Sequence, residues 1–274
     1  MSVTPVSAST PVVSKVPLAS FVAQCEGQMV PLSKTLSYFA ALPLEENDLR
    51  KLLYDPVAAI PPKIGQILPR LRLALVPYLE KESQDHARNG SDRHDSAASK
   101  RASGKNSAPE LVAFTEPNRS RQLASATSEH NGEVFLFLAV KAEDLAEYHY
   151  TFYNSLAALV TPRLEAASLE RFQALIRDEL SIETHGEVDE KSWRLKEKVT
   201  QRKGDPARAS KPLQDYFRQA MDDTLTLYLH GLCCDIDVEA GPRQLASRYV
   251  RRRLLLLREL FPPPEGFALF PEEL

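Results

Sequence analysis

Between residues 17 and 80, apolar positions recur at short helical spacings interrupted by prolines. Leu18, Phe21, Val22 and Cys25 fall on one turn-spaced face, with Pro17 suited to a first helical position. Leu32, Leu36 and Phe39 fit a second face, closed by Pro43. Glu45, Glu46 and Asp48 then lead acid-first into Leu49, Leu52 and Leu53, as the helix dipole prefers. Ile64, Ile67, Leu68, Leu71 and Leu75 make a fourth stripe, which Pro69 and Pro77 should kink or shorten. The spacing predicts a small helical unit over 17–80.

Beyond residue 110 the period changes. Leu111 to Phe114 and Val134 to Val140 are short apolar runs rich in β-formers, and the second follows Asn131-Gly132, a strong hairpin signal. Its partner arm, around Gln122 to Glu129, is rich in Ser, Ala and Thr. This predicts two or three short strands near 111–140, against the alternative of one helix running from about 133 to 160. The rest reads as helical. Leu145, His149, Phe152, Leu156 and Leu159 share one face, and Thr161-Pro162 opens a further helix. A charged helix occupies 187–203, another runs from Ser210 to His230, and the last from about Pro242 to Phe261. The expected fold is therefore mainly α: a multi-helix bundle with a minor β hairpin and a disordered internal linker.

That linker is 81–110, which contains no Val, Ile, Leu, Met, Phe, Tyr, Trp or Cys between Glu82 and Glu110, so little in it could offset the entropy of ordering. Residues 1–16 read as a disordered tail and 111–274 as a mainly helical domain carrying the short β element. Lys and Arg number 34 against 37 Asp and Glu, a formal charge of −3 that argues against a generic polyanion binder. Three cysteines, Cys25 and the adjacent Cys233 and Cys234, form no disulfide framework and point to a reducing, cytoplasmic setting. No apolar run is long enough to span a bilayer as a helix, so a soluble protein is expected.

Three places carry candidate chemistry. His230-Gly-Leu-Cys-Cys-Asp-Ile-Asp-Val-Glu239 gathers His230, Cys233 and Cys234 with Asp235, Asp237 and Glu239 just past a helix end. Adjacent cysteines do not easily reach one tetrahedral ion, and the alternating acids lack the Gly and Glu that a calcium loop needs at its sixth and twelfth positions. The sequence thus assigns no metal and no cofactor. Glu143, Glu147, Tyr150 and Asn154 share one helical face, where two carboxylates and a phenol suit acid-base work if the face lines a cleft. His149, opposite, reads as a hydrogen-bonded core histidine. On the last helix, Arg248, Arg251 and Arg258 form a basic stripe able to meet phosphate or an acidic partner. Arg253 falls inside the apolar arc, where it needs a carboxylate, from the loop carrying Asp235, Asp237 and Glu239 or from a facing helix, such as Asp222 or Asp223.

Because none of these constellations is complete, the expectation is a non-enzymatic binding or scaffold protein with a protein partner. The alternatives are a nucleic-acid-binding regulator using the basic helix, and an enzyme with its site at 230–239.

Overall fold

The computed structural model describes residues 14–82, 110–201, 210–234 and 243–270. Asp235, Asp237, Glu239 and nearly all of the expected linker lie outside them. The helical-bundle expectation fails: the chain is mixed α/β, with one sheet of four strands and one of five. In chain order the first half contains β1 (Lys15–Pro17), α1 (Leu18–Cys25), β2 (Val30–Pro31), β3 (Leu36–Ala40), α2 (Glu46–Leu49), a wide π turn over Arg50–Tyr54, α3 (Asp55–Ala58), α4 (Pro62–Ile67), β4 (Leu71–Val76) and β5 (Tyr78–Lys81). Then come β6 (Glu110–Ala113), β7 (Gln122–Leu123), β8 (Ser125–His130) and β9 (Glu133–Ala139). The helices α5 (Leu145–Val160), α6 (Ala166–Ser181), α7 (Glu190–Thr200), α8 (Lys211–Cys233) and α9 (Ser247–Leu260) complete the fold.

The larger sheet has the order β2-β3-β4-β9-β8, with β3, β4 and β9 parallel and the edges antiparallel. The smaller is antiparallel, β1-β6-β5-β7. Only Pro77 separates β4 from β5, and only Ala124 separates β7 from β8, so the chain passes twice directly from one sheet into the other. Asn131 and Gly132, at φ 51 and 76, turn β8 into β9 as a primed hairpin turn requires. Yet β9 is an inner strand between β4 and β8, not one arm of a minor hairpin. The long-helix alternative is also excluded, because helix starts only at Leu145, capped by Asp144 accepting from the Ala146 and Glu147 amides at 3.0 Å.

The misreading has a physical cause. The inner strands are covered on both faces: Leu71, Leu73, Leu75, Val134, Leu136 and Leu138 pack toward the helices, while Ala74, Val76, Phe135, Phe137 and Ala139 pack with Phe21, Val22 and Cys25 of α1. Such strands show no alternation of apolar and polar residues. The apparent stripe from Ile64 to Leu75 is really α4 followed, after Pro69, by β4.

On the helical side, α8 runs through the packing, its first turn capped by Ser210 and a dozen of its residues buried. It touches α5, α7 and α9. Beside it sits a buried ionic knot. Arg253 of α9 has no exposed surface and binds two carboxylates at once. Its Nε donates to Glu179 Oε2 at 3.0 Å, and its Nη1 and Nη2 reach the two oxygens of Glu187 at 2.8 and 2.9 Å. The Tyr216 hydroxyl donates to Glu187 as well, and Lys196 Nζ lies 3.6 Å from the same carboxylate while donating to the Gly186 carbonyl at 2.9 Å. Arg253 therefore has the carboxylates that its position demanded, from the facing helix α6 and from the α6–α7 connection, and not from Asp222 or Asp223; the 235–239 loop lies outside the described residues. Burial pushes Glu179 above the ordinary carboxylate range despite Arg253. For Glu187 the same burial is outweighed by Arg253, Lys196 and Tyr216 together, and its pKa falls.

Backbone geometry fixes Glu187 in place. Its amide donates to the Arg243 carbonyl at 2.9 Å and its carbonyl accepts from Leu245 at 3.0 Å. Gly186 makes that approach possible, because at φ +85 a Cβ would lie 2.2 Å from the Gln244 carbonyl oxygen. Replacing Arg253 by Met keeps much of the packing but strands two buried carboxylates. We expect chemical denaturation to show a loss of about 3–5 kcal/mol. A loss of a few tenths would mean that the knot contributes nothing to stability.

Candidate metal centre

Two helices and one turn converge at the C-terminal end of α8. His149 lies in the second turn of α5, and His230 in the last turn of α8. Cys234 is the first residue past that helix, in extended conformation with its amide donating to the His230 carbonyl at 2.9 Å. The four-residue spacing of His230 and Cys234 puts both on the same side of the helix end.

His149 is buried, and its Nε2 lies 2.8 Å from the Lys51 carbonyl oxygen in the π turn. A carbonyl only accepts, so Nε2 carries the proton and Nδ1 presents a lone pair. Nδ1 lies 3.1 Å from Cys234 Sγ. Tyr148 and Tyr153 of α5 likewise donate to the Leu52 and Pro56 carbonyls, at 2.9 and 3.1 Å, which clamps α5 onto this stretch of backbone. His230 Nε2 is buried and makes no hydrogen bond among the described residues. Its ring sits among His149, Tyr150 and Tyr153 at centroid distances of 6.5, 6.2 and 6.0 Å. Burial, reinforced by His149, pushes the His230 pKa below its ordinary value. One donor atom each from His149, His230 and Cys234 all lie within 4.8 Å of one another.

Cys233 stands beside this trio. Its thiol is lowered to about 7, chiefly by a hydrogen bond with Cys234 and, against the effect of burial, by the Tyr153 hydroxyl. Both thiols are partly exposed, whereas Cys25 is buried on the far side of the larger sheet.

The remaining predicted residues are dispersed. Glu143 precedes α5 and accepts from Thr151 at 2.9 Å; Glu147 is exposed; Tyr150 donates to Asp189 Oδ2 at 3.2 Å. The face read as an acid-base constellation is thus divided between a local contact, solvent and the start of α7. Arg248 stacks over the Tyr249 ring at 4.7 Å and Arg251 over Phe270 at 4.1 Å, while Arg258 is half-buried. Two cavities, of about 420 and 340 Å³, lie elsewhere: one by Phe172, Phe217 and Met221, the other by Ile67 and Leu260.

Sequence reasoning missed His149 as a partner of Cys234. The available signal was the His230-x-x-x-Cys234 spacing, which unlike the adjacent cysteines does converge on one point. The other imidazole comes from 85 residues away and leaves no local trace. No family model, curated protein or solved structure matches this chain. No described helix is long and apolar enough to cross a membrane.

A second buried anion lies two turns before His230 on α8. Asp223 is 3% exposed; its Oδ1 accepts from Gln219 at 2.7 Å, and its Oδ2 is buried without a hydrogen-bond partner among the described residues. Burial, against the lowering effect of Ser192 and Gln219 and with Asp189, the residue that caps α7, and neighbouring Asp222 adding repulsion, raises its pKa from 3.8 to about 6. The folded state holds this proton more tightly than the unfolded chain, so stability is full below the unfolded pKa and falls as pH rises through about 6. Asp223→Asn should remove that fall. Denaturation at several pH values should show the variant more stable at neutral pH, by up to about 2–3 kcal/mol, with the gain vanishing in acid. An equal or lower stability at pH 7 would contradict a strained carboxylate.

Proposed function

We propose that this protein is a non-enzymatic metal-binding protein, holding a thiophilic divalent cation, zinc in the first instance, between His149 Nδ1, His230 Nε2 and Cys234 Sγ. The observation that carries the reading is the pairing of a tautomer-fixed His149 with a second imidazole whose buried Nε2 has no partner among the described residues. A ligand histidine characteristically donates its other N–H to a carbonyl or carboxylate, as His149 does to Lys51. A thiolate and two imidazoles form a donor set suited to zinc. Bonds of about 2.0–2.1 Å to nitrogen and 2.3 Å to sulfur at tetrahedral angles place ligand atoms roughly 3.3–3.6 Å apart. The observed spread, within 4.8 Å and 3.1 Å for the closest named pair, reaches that arrangement by small side-chain rotations. A cation here also lies at the negative end of the α8 dipole.

The 3.1 Å contact between Cys234 and His149 fits a second reading, a nucleophilic thiol with its base. Two features count against it. Activated thiolates favour helix N-termini, and Cys234 stands at a C-terminus. A thiol–base pair also gives no employment to His230.

Dialysis against chelator followed by zinc titration with a competing chromophoric chelator should show stoichiometric uptake. Saturation should raise the melting temperature, since a ligand at 100 times its Kd adds about 2.7 kcal/mol. His149→Ala, His230→Ala and Cys234→Ser should each weaken binding by at least about 100-fold, more than the roughly 10–100-fold typical of losing an outer-shell partner. Cobalt substitution should give a thiolate charge-transfer band that Cys234→Ser abolishes. A folded wild type that takes up neither metal refutes the reading, and single-site alkylation of Cys234 blocked by His149→Ala would favour the nucleophile.

A further inference from the structure

Cys233 is the unexplained member of the cluster. It shares a peptide bond with the ligand thiol of Cys234, yet does not belong to the trio of converging donor atoms. It lies at the last position of α8, partly exposed. A second thiol adjacent to a ligand thiol, with no place in the coordination shell, is positioned for chemistry on that ligand.

We infer that the metal site is redox-gated: peroxide oxidises Cys233 and Cys234 to a vicinal disulfide, and loss of the Cys234 thiolate expels the ion. The inference rests on the metal-binding reading above. With the cation bound, the electron pair of Cys234 is engaged, which leaves Cys233 as the thiol open to attack peroxide. Its sulfur forms a bond to one peroxide oxygen, the O–O bond breaks, and one water leaves with the thiol proton, giving a sulfenic acid. Cys234 sulfur then attacks Cys233 sulfur. The S–S bond forms, the S–O and metal–sulfur bonds break, and the hydroxide departs as a second water after taking up a proton from solvent. In sum, two thiol groups lose two electrons and hydrogen peroxide gains them, with two waters formed.

Two imidazoles remain, short of the three protein ligands of an open zinc site. The switch is also reversible by geometry. Neighbouring Cα atoms are about 3.8 Å apart, closer than the roughly 4.4–6.8 Å across ordinary disulfides, and strained disulfides are readily reduced. The backbone at this junction is where such strain is most easily absorbed, since Cys234 has already left the helix at φ −135 and ψ 146. Cys25, buried at the end of α1 on the other side of the sheet, is remote from the exchange.

The test uses the reduced, zinc-loaded full chain treated with one equivalent of hydrogen peroxide. Zinc release is followed with a chromophoric indicator and the product by intact mass. Wild type should release zinc as its mass falls by two hydrogens, and dithiothreitol should restore both mass and binding. Cys233→Ser should bind zinc as wild type does but release it at least about tenfold more slowly, without a thiol-reversible product. Equal release from Cys233→Ser, or oxygen addition in place of hydrogen loss, overturns the gate while leaving metal binding intact. If the reduced wild type takes up no zinc, the metal reading falls, and the gate with it.

Discussion

Burying the guanidinium of Arg253 obliges the chain to bring two carboxylates to it, and much of the helical half is arranged to satisfy that demand. An arginine stripped of water must recover its hydrogen bonds in place, because stranding a buried charge costs about 3–5 kcal/mol, a large part of the stability of a typical domain. Glu179 comes from the last turns of α6, and Glu187 from the connection that leads to α7. Lys196 of α7 and Tyr216 of α8 then balance and orient Glu187. One side chain of α9 thus fixes the relative positions of four helices. Gly186 is needed so that the Glu187 backbone can lie against the segment entering α9. That arrangement in turn holds α8, and so sets where its C-terminal end meets α5.

Parts of the helical half were legible because their signals are local. His149, Phe152 and Leu156 of α5, Phe172 and Ile176 of α6, and Leu213, Phe217, Met221, Leu225 and Tyr228 of α8 are buried as their spacing predicts. Leu145, by contrast, is exposed, and only Val199 of the stripe on α7 is buried. The sheets were not legible from the same kind of signal. Leu71 to Val76 and Val134 to Ala139 are buried on both faces, so neither carries the two-residue alternation that marks a half-exposed strand. Parallel pairing of β3, β4 and β9 joins residues far apart in the chain, and nothing in a short window encodes such a neighbour. Leu32, Leu36 and Phe39 matched helical spacing only because a short apolar run matches many periods.

The candidate site shows the same division. The discomfort of Arg253 could be read from its place on the helix, but the identity of its partners could not, since Glu179 and Glu187 are 74 and 66 residues away. The density of His230, Cys233 and Cys234 was visible, and its weakness as a zinc motif was judged from the adjacent cysteines alone. What changed the picture is a histidine on another helix, placed there by hydroxyl-to-carbonyl contacts of Tyr148 and Tyr153 that no motif describes.

Two buried polar clusters flank α8, and they differ in how fully their polar atoms are paired. In the Arg253 knot every carboxylate oxygen and guanidinium nitrogen at the centre has a partner. A saturated network of this kind has nothing left to offer a ligand, and its role is completed by folding. At the other end of the same helix, His230 Nε2 is buried with no bond to any described residue, and His149 turns a lone pair toward a thiol. Leaving a buried donor or acceptor unmet costs about 1–3 kcal/mol, which a fold tolerates where something else completes the set. The chain has saturated its charged knot with protein groups and left its softer donors converging on a common point. That asymmetry is what favours the imidazole–thiol cluster, and not the far more conspicuous ion pairs, as the proposed metal site.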